Sequence, residues 1–161
     1  MALLFERGFG TDLYTRVTSL AEAKAVESPL FVREALNESN ATDVHRRWAR
    51  YGIETPCDAD LVMLAPWLKT ASLFAINFAS FSDGRGYSLA RMARDRLGFK
   101  GELRAKGDVL RDQLFYLKRC GFSSFEVPQE SAELARAFSD FSVTYQGAAD
   151  DPRPLFVRID R

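Results

Sequence analysis

Asp83, Gly84, Arg85 and Gly86 stand together in the stretch "FASFSDGRGYSLARM", just ahead of an arginine-studded helical pattern. Glycines permit positive φ or a close backbone approach, and a helix start offers unpaired N–H groups. With Arg85 between them, a sulfate- or phosphate-sized anion could be clamped there. Arg104 inside a strand candidate, and Arg111 at the start of a helix candidate, extend the set of cations. On this reading Arg85, Gly86, Arg104 and Arg111 bind a ligand, while Asp83 or Asp108 moves a proton. A structural account stands beside it. Asp-Gly is a common turn dipeptide, Gly86 relieves crowding, Arg85 pairs with Asp83 or another acid, Asp108 caps a helix and Arg104 forms an ion pair within the sheet.

The elements that must position these residues are clearest after Lys69. "ASLFAINFA" is apolar at nearly every position, as a strand covered on both faces is. "SLARMARDRLGF" has helical spacing and ends on Gly98. A charged strand follows around Glu102 to Ala105. The next helix takes Asp108 as its cap, turns Leu110, Leu114 and Leu117 inward, and ends at Gly121. "SSFEV" reads as a strand, "QESAELARAFSDF" as a helix and "FSVTY" as a further strand.

Strand and helix in alternation, joined by short connections, indicate right-handed crossovers. The fold class is therefore α/β, a parallel sheet built from successive βα units, either an open layered sheet or half-barrel-like. A half-barrel would leave two edges for a partner subunit or covering helices to hide. Residues 1–50 read as an irregular, helix-containing segment packed on an α/β domain at 51–146, with a tail at 147–161. In such sheets ligands collect beyond the carboxyl ends of the strands, which is where the loops carrying Asp83, Arg85 and Asp108 fall.

Composition narrows the functions. The formal net charge is zero and no long run of one sign occurs, which speaks against a nucleic-acid binder. Cys57 and Cys120 make no paired motif, and the single His45 cannot assemble a multi-histidine metal centre, so no metal site is expected. Cys57 lies near a helix cap, where its thiol pKa would be lowered somewhat. "SDGRG" has neither the dinucleotide nor the Walker spacing, and no cofactor is expected. Neither a signal peptide nor a membrane span is legible, so the expected place is the cytoplasm, away from membranes.

Taken together, "FSDGRGYSLAR", "GFKGELRAKGDVLRDQLFYLKRCGFSSFEV" and "AFSDFSVTYQ" resemble a bacterial family, domain of unknown function 934, over about Asp60 to Gln146. Residues matching its motifs include Asp83 to Ser88, Arg91, Glu102, Arg104, Gly107, Asp108, Arg111 to Gln113 and Arg119 to Gly121. The chain reads Ala79-Ser80 where members tend to have a Pro ahead of the DGRG segment. The resemblance implies a place in sulfite reduction, because members' genes accompany sulfate-assimilation genes and carry an oxidoreductase label. The expectation is an accessory protein that binds a sulfite-reduction enzyme or a small oxyanion without a redox cofactor of its own. The alternatives are an enzyme acting on a sulfur oxyanion or phosphorylated small molecule through the Arg/Asp site, and a homodimer with the arginines at its interface.

Overall fold

Eight strands form one sheet in the computed structural model, which describes residues 1–158 except the side chain of Glu38. They are β1 (Ala2–Phe5), β2 (Gly8–Gly10), β3 (Thr15–Val17), β4 (Pro29–Val32), β5 (Gly52–Pro56), β6 (Leu73–Phe78), β7 (Glu102–Gly107) and β8 (Ser124–Val127). The helices are α1 (Leu20–Ala23), α2 (Ala41–Arg47), α3 (Leu61–Leu68), α4 (Arg85–Asp95), α5 (Leu114–Arg119), α6 (Ala132–Arg136) and α7 (Leu155–Arg158). Among the described residues no helix is long and apolar enough to cross a membrane.

Strands β3 to β8 lie side by side in chain order and pair in parallel, while β1 joins β8 antiparallel and β2 joins β1. The α/β expectation holds, and the half-barrel alternative is the correct one. A connection too short for a flat sheet proves the curl. Edges β2 and β3 of a flat eight-stranded sheet would lie ~34 Å apart, yet the Thr11–Tyr14 link between them reaches at most ~18 Å.

The N-terminal segment, expected to be irregular, supplies four of the eight strands. Its strands are three or four residues long, too short to display a period of two. Hairpin β1–β2 occupies the free edge of β8, so this edge is hidden by the chain itself rather than by a partner. That pairing also explains why "FSVTY" is not a strand: with β8 taken, Phe141 to Tyr145 runs irregularly over the surface.

Successive parallel crossovers of one hand place the helices on one face. Phe31, Ile53, Phe74, Ile76, Leu103 and Phe125 project to that face and join Leu64, Leu89 and Leu117 of the helices in the main core. The opposite, concave face holds a second small apolar group, Tyr14, Leu30, Leu73 and Ala75. Charged residues take up the rest of it.

Gly107, the last residue of β7, adopts φ +89°, and a Cβ there would lie 2.3 Å from the Phe78 carbonyl oxygen and 2.5 Å from Asn77 Oδ1. Gly107→Ala is therefore expected to destabilise the fold by at least about 2 kcal/mol, measured by urea denaturation. Gly84→Ala, where φ is −70° and a Cβ would meet nothing within 4 Å, lacks this strain and serves as the control.

Candidate functional site

The DGRG turn connects β6 to α4 and is closed by its own charges. Arg85 donates to both carboxylate oxygens of Asp83, at 2.9 and 2.8 Å, and reaches Asp58 at 3.4 Å. The hydrogen bond from Arg85 holds the Asp83 carboxyl below its ordinary range, and the same bond raises the Arg85 pKa. Asp83 thus stays an ionised clasp at neutral pH, unlike a proton-shuttling acid.

Gly86 serves packing. A Cβ at this position would sit 2.5 Å from the Phe78 ring and 2.8 Å from Cys57 Sγ. Burial, reinforced by the Asp83 charge, pushes the Cys57 thiol up to about 11. The lowered value expected from its place near a cap is therefore corrected: the sulfur is turned inward and donates to the Asn77 carbonyl at 3.4 Å.

Asp108 does not cap the helix that follows it. Its carboxylate accepts from the Phe81 N–H at 2.9 Å, and Gln113 donates to the Phe81 carbonyl at 2.7 Å, so the DGRG loop is fastened to the β7–α5 connection. Arg111 forms a two-pronged pair with Asp140 at 2.8 and 2.9 Å. That hydrogen bonding raises the Arg111 pKa. Arg119 donates to Thr144 Oγ1 at 3.0 Å and to the Gln146 carbonyl at 2.5 Å. These two arginines hold the segment after α6 against α5.

Arg104 lies elsewhere, on the concave face, with only 1% of its side chain exposed. It donates to Glu102 Oε1 at 3.0 and 2.8 Å and to Asp12 at 2.7 Å, with the Tyr14 ring 5.7 Å away. Burial alone would depress its pKa; the Asp12 hydrogen bond and the Glu102 charge outweigh it, and the net direction is upward. Arg85, Arg104 and Arg111 accordingly share no partner and do not converge on one anion, and Asp83 and Asp108 face the loop, not Arg104.

Beside Arg104 lies a second group of ions. Lys106 Nζ donates to Glu54 at 2.9 Å and stands 3.6 Å from Glu126. Arg16 donates to both oxygens of Glu54, at 3.1 and 3.0 Å. Small Ala75 lies on β6 between Glu54 and Arg104, which lets long side chains of β5 and β7 meet across it. Lys106 and Glu126 face a cavity of about 380 Å³ that Asp12 and Glu130 also line.

Arg104 was picked out as unusual, Lys106 only as part of a strand-end loop and Glu102 only as a motif residue; Asp12, Arg16, Glu54 and Glu126 were not picked out from the sequence. A signal was present in "GELRAKG": Glu102, Arg104 and Lys106 alternate with Leu103 and Ala105. Period two with a charged face, in a strand flanked by parallel crossovers, implies a polar barrel interior.

The model of the family described as "Bacterial protein of unknown function (DUF934)" matches residues 52–156, well over half of the chain. The chain belongs to that family. No protein with a curated description matches it. The family match takes in β5 to β8 and with them Glu54, Arg104, Lys106 and Glu126, whereas Asp12 and Arg16 precede it. Within the match, Arg85, Asp108, Arg111 and Arg119 each fasten one loop or segment to another.

In a Cys120→Ser background, Cys57 is expected to stay unmodified by a disulfide reagent at pH 8 while the chain is folded, and to react on unfolding in urea. Its folded pKa exceeds its ordinary value of 9.0, so the contribution to stability is complete below pH 9 and is lost as pH rises toward about 11. Rapid reaction of the folded chain at pH 8 would contradict the burial.

Proposed function

We propose that the chain is an accessory protein that docks on a partner protein of sulfite reduction, the setting implied by the resemblance read from its sequence, and performs no redox step of its own. The supporting observation is an exposed aromatic surface on α5 and the segment laid across it. Phe141 packs against Phe115 and Tyr116, with ring centroids 4.9 and 5.8 Å apart. Tyr116, Phe141, Val143 and Tyr145 are all more than half exposed, and Tyr145 is 79% exposed.

The Arg111–Asp140 pair and Arg119 border this surface. Aromatic side chains within a polar rim are what protein interfaces favour, and tyrosine and arginine are frequent energetic anchors there. The arginine–carboxylate pairs fix the exposed segment in place before a partner arrives, which lowers the ordering cost of association. An oxyanion-processing site would call for cations left free to meet the substrate, whereas Arg85 and Arg111 are each committed to carboxylates.

Purified sulfite reductase from the same bacterium is expected to form a complex with the chain in the micromolar range or tighter, measured by calorimetry. Replacing Tyr116 and Tyr145 together by Ser should weaken it at least about tenfold while the circular dichroism spectrum is unchanged. The absence of a complex, a complex indifferent to both changes, or self-association through this surface would contradict the reading.

A further inference from the structure

The mouth of the curled sheet carries an ion pair whose hydrogen-bonding capacity is largely unused. Lys106 has three N–H donors and commits one, to Glu54. Glu126 accepts no hydrogen bond from the described residues, and its nearest cation, Lys106 Nζ, stands at 3.6 Å. Both side chains are only 13% exposed. Their unused donors and acceptors are not sealed in the core but open on the cavity, where they favour a polar, charged occupant.

Their neighbours are already engaged. Glu54 is held by both Arg16 and Lys106. Asp12 accepts from Arg104 and from the Tyr14 N–H. The Lys106 ammonium and the Glu126 carboxylate thus face the cavity side by side, with the engaged Asp12 beside them and exposed Met1 and Glu130 at the margin.

We infer that this mouth binds a free α-amino acid. The complement of an ammonium beside a carboxylate is another such pair turned head to tail. The ligand's carboxylate would accept from the two unused Lys106 N–H groups, and its ammonium would donate to Glu126, with Glu130 adding favourable charge. A doubly charged oxyanion matches only one half of the pair and is repelled by Glu126 and Glu130. A cavity of about 380 Å³ admits one small ligand of this class. The position is also the one where parallel sheets gather ligands, since Lys106 and Glu126 each lie one residue before the carboxyl end of their strand. This site is separate from the aromatic docking surface and does not depend on it.

The test uses the full chain and the twenty free α-amino acids, each titrated by calorimetry, with ethylamine, acetate and sulfate as the half-matched probes. At least one amino acid is expected to bind, and the three half-matched probes to bind at least about tenfold more weakly. Lys106→Met and the near-isosteric Glu126→Gln should each weaken binding by about tenfold or more. In Glu126→Gln the cavity keeps its shape, so a loss there reports the charge. The inference is overturned if no amino acid binds, if Glu126→Gln binds as the parent does, or if sulfate binds as tightly as the best amino acid.

Discussion

A guanidinium almost wholly removed from water needs a carboxylate within reach, and Arg104 is such a group at the centre of the concave face. Glu102, two residues back on the same strand, answers part of the need, with Ser124 donating to the same Glu102 oxygen at 2.5 Å. The rest comes from Asp12 and the Tyr14 ring, both in the short link between the two edge strands. The Arg104–Asp12 contact ties that link across the concave face while its length forces the edges toward each other. Curl, closure and interior charge are thus one problem with one solution. The small residues Gly52, Ala75 and Ser124 make room for it on the inside of the sheet.

The family's motif residues acquire physical roles from this arrangement. Gly86 allows α4 to press on Phe78 and Cys57; Gly107 allows β7 to end against the Phe78 carbonyl; Gly121 receives Arg94, which also donates to the Phe99 and Gly101 carbonyls. Arg85, Arg111 and Arg119 are clasps between neighbouring segments. A run of glycines and arginines that reads as an anion cradle in one dimension is, in three, a set of fasteners. The aromatic face over α5 and the Lys106–Glu126 pair carry capacity that these fasteners do not use.

The parallel βα units were legible because β6 is apolar almost throughout, α4 and α5 carry helical spacing that stops at Gly98 and Gly121, and β7 and β8 follow at short intervals. The first fifty residues were not, since three-residue strands such as β2 and β3 have no period to detect and are defined by pairings distant in sequence. Strand β5 escaped for a related reason: Glu54 and Thr55 interrupt its apolar pattern, and Glu54 makes sense only beside Arg16 and Lys106. "FSVTY" has strand propensity, and the fold overrides it by giving the β8 edge to β1. At the site, Arg104 was singled out correctly as unusual, yet its partner Asp12 lies 92 positions away, a separation that no local pattern reveals.

The dependence of the curled sheet on the buried Arg104 clasp is tested most directly by a double-mutant cycle. Arg104→Met, Asp12→Ala and the combined variant would be compared with the parent by urea denaturation. A coupling of about 2 kcal/mol or more between the two positions is expected for a charge pair with one member fully buried. Additive losses, with a coupling below about 0.5 kcal/mol, would contradict the account and leave the closure of the sheet to backbone pairing and apolar packing alone.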